Sequence, residues 1–220
     1  QLAIVSVKNH KQAKENPNAL SKKTYTVEDV MNSKKLTDDL RLLNCSRPCT
    51  GSASILLASK EVAEKYTDMP IWITGIGQKT TSAGFTKNTS LTSMESTAIA
   101  GQSALKMSNR NISEIDVAEV HDAFSVCEPM ILESLGFTNP GEGINMSQKL
   151  HEENNFMVNP RGGLIGSGHP LGATGISQTI EIVQQLQKTA ENRQTNNPKT
   201  GLVHNMSAAA TSSTVLVLEK

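Results

Sequence analysis

The 220-residue chain carries 21 Lys plus Arg against 21 Asp plus Glu, so its formal net charge is zero, and aromatics make up 3% of it. Neutrality excludes the electrostatic footprint of a general nucleic-acid or anionic-membrane binder. Scarce aromatics argue against base stacking, and a 37% hydrophobic content argues against disorder.

Taken in chain order, the first signal is Leu2–Lys14, a helix that Asn16-Pro17 stops. It starts directly at Gln1 with no helix start signal, so the chain reads as a piece of something longer. Thr26–Met31 is expected as a short helix, with Thr26 as N-cap and Asp29 at the capping-box position. Residues 1–44 together read as a polar surface excursion. The three cysteines, Cys45, Cys49 and Cys127, are odd in number and too few for a disulfide framework. They imply a reducing, cytoplasmic-type compartment. Cys127 reads as packing.

Gly51–Ser59 mixes small and branched apolar residues and is expected as a buried strand, followed by a helical turn at Glu61–Tyr66. Ile71–Ile76 is expected as a second strand. A helix over Ser93–Met107 follows, then an acidic cap from Ser113 to Asp116, then a strand at Val117–Val120. Ser125–Leu135 is expected as a helix ended by Gly136. Residues 138–161 read as loop. A long helix runs over Leu171–Lys188, and Leu202–Met206 with Thr214–Leu218 form two closing antiparallel strands. Strands alternating with helices predict an α/β layer structure with a mixed sheet flanked by helices.

Two places carry the chemistry. Residues 160–175, PRGGLIGSGHPLGATG, put six glycines around His169 just before a helix. Glycine costs backbone entropy, so such density points to positive-φ turns or a close backbone approach to a ligand. No dinucleotide or P-loop spacing is present. His121-Asp122-Ala123-Phe124 follows a strand directly, where α/β sheets place ligands. The two histidines are expected to converge on one cleft. His121, Asp122 and His169 match no common metal spacing, so no metal is expected.

Gly168–Gly175 (GHPLGATG), preceded by Asn159–Gly163 (NPRGG), resembles the thiolase signature. His121–Phe124 resembles the H-D-x-F motif of sterol-carrier-protein-type and archaeal thiolases. Val7–His10, Thr26–Val30 and Leu40–Leu43 also read like the middle of such enzymes, so the resemblance covers the whole chain. It implies the C-terminal half of the αβαβα layered thiolase fold, with the N-terminal half missing. Residues 1–59 would be the tail of the loop region and the last strand of the first half, and 70–220 the C-terminal domain. The implied activity is CoA-dependent acyl transfer, by Claisen condensation or thiolysis of 3-ketoacyl-CoA. Its setting would be the lipid metabolism of fatty acids or isoprenoid precursors. The nucleophilic cysteine would lie in the absent half, so this chain alone would be inactive.

By the resemblance, His169 activates the nucleophile and His121 completes the oxyanion hole. Ser46 aligns with a serine near the pantetheine arm of coenzyme A. A CoA thioester would be substrate, with no covalently bound cofactor, and acyl-CoA, the missing half and a second copy of the chain would be the partners. Two departures stand out. The closing C-x-G motif is replaced within His204–Ala210 (HNMSAAA), and the cysteine of H-D-C-F is Ala123. Cys127 stays open as a stand-in. The alternative is a non-catalytic thiolase-fold subunit that binds acyl-CoA or a partner enzyme.

Overall fold

The computed structural model describes residues 1–82, 90–153, 155 and 157–220. Its four-stranded sheet consists of β1 (Trp72–Thr80), β2 (Val117–Glu119), β3 (Thr200–Met206) and β4 (Ser212–Glu219), in the spatial order β1-β4-β3-β2. β4 is antiparallel to both neighbours, pairing Ile76 with Leu216 and Val215 with His204. β2 runs parallel to β3, so the sheet is mixed. A one-residue bridge from Ala118 to Val158 continues the order beyond β2.

The alternation along the strands divides the core. Ala118, Leu202, Val215 and Val217 face one layer with Ala100 and Ala104, while Val117, Val203 and Leu218 face Ile182 and Leu186. The first layer is helix α4 (Glu95–Ser108) and the second is the last helix, α8 (Thr174–Gln187). α4 lies close on β1 because Gly77 has no side chain there: a Cβ would overlap the carbonyl oxygen of Ala100.

The short helix α2 (Val27–Asn32) starts with the expected capping box: Asp29 N–H donates to Thr26 Oγ1 at 3.1 Å, and Thr26 N–H donates to Asp29 Oδ2 at 2.8 Å. Helix α5 (Cys127–Leu135) ends at Gly136 in the left-handed conformation, φ 88°. No helix among the described residues is long and apolar enough to cross a membrane.

Four expectations are corrected. Residues 51–59 form no strand; Leu56 is fully exposed and Leu57 is 73% exposed. Their segment does not join the four-stranded sheet, and helix α3 (Lys60–Tyr66) after it buries no residue. The stretch 138–161 contains helix α6 (Gly143–Glu152), whose buried face is Gly143, Ser147 and Leu150. Two of those three are too small or polar to mark an apolar stripe. The acidic cap belongs to Asn111 and Glu114, which close a single 3-10 turn. Residues 1–44 are not all surface. Helix α1 (Leu2–Ala13) buries Ser6, Lys8, Asn9, His10 and Gln12 along with its apolar residues. Its polar side chains are buried because they are paired: Lys8 Nζ lies 3.1 Å from Glu128 Oε2, with both side chains at most 2% exposed.

A candidate active site built on two histidines

β2 delivers His121 to the sheet rim, one residue after Val120. The next residue, Asp122, is fully buried and turns away from the rim. It accepts Leu164 N–H at 2.6 Å, Ile165 N–H at 3.3 Å and Asn9 Nδ2 at 2.7 Å. Leu164 and Ile165 belong to a one-turn helix inside the glycine run, α7 (Gly163–Ser167). That helix ends at Gly168, φ 99°, and the chain then presents His169. One carboxylate therefore ties the peptide that carries His121 to the helix that carries His169. Burial, with Glu128 alongside, raises its carboxyl, and the Leu164 N–H works against that rise.

The two rings meet edge to face with centroids 5.0 Å apart. Both line one cavity of about 770 Å³. Ser46 lines it too, on a segment that stitches the two loops together: Ser46 N–H donates to Ala123 O at 2.9 Å and His169 N–H to Arg47 O at 2.9 Å. The remaining wall is mainly apolar, with Met94, Phe124, Met130 and Met206. Asp122 points to α7 and not to the rings, so the three residues once weighed as metal ligands do not share a centre.

Both imidazoles are held neutral at pH 7. Burial lowers His121 to about 4, with His169 and Arg161 adding to it, and burial followed by Arg161 lowers His169. Thr174, at the start of α8, donates its hydroxyl to Pro170 O at 3.1 Å and sits 2.7 Å from His169 Nδ1. The hydroxyl can accept from His169 Nδ1 while it donates to Pro170 O, and in that arrangement Nε2 of His169 keeps a bare lone pair. That is the form of a general base.

The residues that replace the C-x-G motif lie on the same cavity: Ser207, Ala209 and Ala210 line it, as does Ala123. Cys127 lines it as well, with its thiol pushed up to about 11 by burial, so it is protonated at neutral pH. Beneath the wall, His204 is fully buried with Nε2 3.0 Å from Thr97 Oγ1.

Three site residues escaped the sequence reading: Thr174, Asn205 and Gln178. Asn205 Nδ2 lies 3.0 Å from His121 Nδ1 and 2.9 Å from Gln178 Oε1. The one available signal was the placement of Asn205 near the C-terminal end of a strand, the end at which α/β sheets bind ligands.

Comparison with known proteins bears on the family and the fold. Residues 77–220 match the family model described as "Thiolase C-terminal domain-like". The acetyl-CoA acetyltransferase of Methanothermobacter thermautotrophicus is 37% identical over the whole chain, which spans 58% of that relative. Human sterol carrier protein 2 is 33% identical over 93% of the chain and 39% of its own length. Among solved structures, the Ltp2-ChsH2(DUF35) aldolase superposes with a TM-score of 0.82 at 23% identity, over 99% of this chain and 57% of that one, a likeness of fold. The chain thus spans about half the length of such relatives. It belongs to the thiolase superfamily, of which it carries the C-terminal half in its sterol-carrier-protein-type form.

Proposed function

We propose that the chain supplies the base and oxyanion donor of a CoA-dependent acyltransferase that performs Claisen condensation of acyl-CoA or thiolysis of 3-ketoacyl-CoA. The observation that carries this reading is the pair of buried neutral imidazoles 5.0 Å apart on one largely apolar cavity. The nucleophilic cysteine comes from the part of the relatives that this chain does not span. His169 Nε2 removes its proton, and the thiolate attacks the carbonyl carbon. The carbonyl electron pair moves to oxygen, and an N–H of His121 holds that oxygen. Ser46, beside the cavity, contacts the pantetheine arm of the CoA thioester. Residues 1–59 are the tail of the loop region and the last-strand segment of that missing half, and the complete protein is a homo-oligomer.

A second reading rests on Ala123 and Ser207, which line the cavity where relatives of this type place an acid/base thiol. It makes the chain part of a non-catalytic subunit that binds acyl-CoA or a partner enzyme. The aldolase of similar fold is named as a two-component protein, Ltp2 with ChsH2, which suits a partner-bound role.

The test replaces the matching portion of the Methanothermobacter relative with this chain and follows acetoacetyl-CoA thiolysis. Under the first reading the chimera turns over. Loss of an oxyanion donor costs on the order of 10²–10³ in rate, so His121→Ala should fall by that much and His169→Ala further. A chimera that binds acyl-CoA without turnover supports the second reading. Turnover by the 220-residue chain alone would overturn the placement of the nucleophile elsewhere.

A further inference from the structure

We propose that Asn205 and Gln178 are positioning residues that lock the proton of His121 on Nε2, so that the ring presents a donor to the cavity. This deepens the reading above and rests on His121 acting as the oxyanion donor.

A neutral imidazole carries one proton, and only one of its two tautomers puts an N–H where a ligand oxygen needs it. The choice is made by a chain of hydrogen bonds that begins at a group with no freedom. The backbone carbonyl of His204, inside β3, only accepts. Gln178 Nε2, 3.3 Å away, must therefore be the donor to it. Gln178 is fully buried, so its amide cannot turn to water for another partner. With Nε2 committed, Gln178 presents Oε1 to Asn205.

Asn205 must then offer its Nδ2 to that oxygen, at 2.9 Å. An amide nitrogen has two hydrogens. The second points along the 3.0 Å contact to His121 Nδ1, which has to accept it. A ring nitrogen that accepts carries no proton, so the proton of His121 sits on Nε2. Turning the Asn205 amide over would let its oxygen accept from a protonated Nδ1 of His121, but would set that oxygen against Gln178 Oε1 and forfeit the bond to it. The neighbouring ring is free to take the opposite form, with His169 Nδ1 donating to Thr174 Oγ1. In that arrangement one cavity holds a bare Nε2 on His169 and an Nε2–H on His121, a base and a donor built from the same side chain.

The experiment is a long-range proton–nitrogen correlation spectrum of this chain labelled with ¹⁵N-histidine, at neutral pH. The expected result is a protonated Nε2 and an unprotonated Nδ1 for His121. Asn205→Asp replaces the donor facing Nδ1 with an acceptor, so the proton should move to Nδ1 of His121. In the chimera the same variant should lower kcat by about 10²–10³, the loss of one oxyanion donor, with KM little changed. Two results would overturn the proposal: wild-type His121 protonated on Nδ1, or an Asn205→Asp spectrum in which His121 keeps its Nε2 proton. The wild-type spectrum needs no variant to fold. Failure of the broader reading shows elsewhere, as a His121→Ala chimera with undiminished turnover.

Discussion

Replacing Gly163 with Ala should unseat the helix that carries His169. Gly163 has φ 57°, and an added Cβ would lie 2.5 Å from both Cγ and Oδ1 of Asp122, where ordinary contact begins at 3.4 Å. The left-handed backbone costs an alanine about 1–2 kcal/mol. The carboxylate must also retreat by most of an ångström, away from Leu164 N–H and Ile165 N–H. Leaving one buried donor unsatisfied costs about 1–3 kcal/mol. Together these give about 2–5 kcal/mol, a large share of the ~5–15 kcal/mol that holds a domain folded. Urea and thermal unfolding of the chain measure it, and for this size a loss of that order lowers Tm by roughly 4–20 °C. Gly172→Ala is the control in the same glycine run, since its Cβ meets nothing within 4 Å. It should stay within about 0.5 kcal/mol of wild type. If the two variants are equally stable, Asp122 is not the anchor of α7 described above.

The buried His204 ring is pulled down to about 3 by burial, with His121 adding to it. An unfolded chain binds the proton below about pH 6.5 and the folded one does not, so this stability is present above pH 6.5 and is lost as pH falls toward 3. His204→Gln lacks that titration, and between pH 6.5 and about 4.5 its unfolding free energy should fall less steeply than wild type by about 1.4 kcal/mol per pH unit; parallel curves would contradict it. Lys8→Met leaves Glu128 buried with only Asn9, Asn159 and Ser147 as donors. It should cost about 3 kcal/mol, the low end for a broken buried pair, and adding Glu128→Gln should recover part of it; a double variant less stable than the single one would refute the pairing. Leu56→Ser with Leu57→Ser should leave the urea midpoint unchanged, because these side chains are exposed. The same change should reduce self-association seen by light scattering, and a loss of unfolding free energy above about 0.5 kcal/mol would show that the segment packs on this chain.

Local pattern was enough for the elements whose signal is local. Helical spacing located α1, α4 and α8, the Thr26–Asp29 pair located the start of α2, and the two closing runs Leu202–Met206 and Thr214–Leu218 fall within the antiparallel strands β3 and β4. The glycine–histidine run and H-D-A-F marked both catalytic candidates, because glycine density and a histidine at a strand end are features of adjacent residues. Helix α6 stayed hidden because its buried face is Gly143, Ser147 and Leu150, a contact surface made of smallness and not of apolar character. Residues 51–59 have the composition of a buried strand, but a strand is defined by the edge it pairs with, and this segment joins no strand of the sheet and leaves Leu56 and Leu57 exposed. The burial of Lys8 was decided by Glu128, 120 residues away. The proton positions lie furthest from the reach of sequence. Asn205 reaches His121 across 84 residues of chain and Gln178 reaches Asn205 across 27, through hydrogen bonds whose direction is set by a single strand carbonyl. Which nitrogen of a neutral ring holds its proton depends on what lies within about 3 Å of the other one, and only the folded chain brings those atoms together.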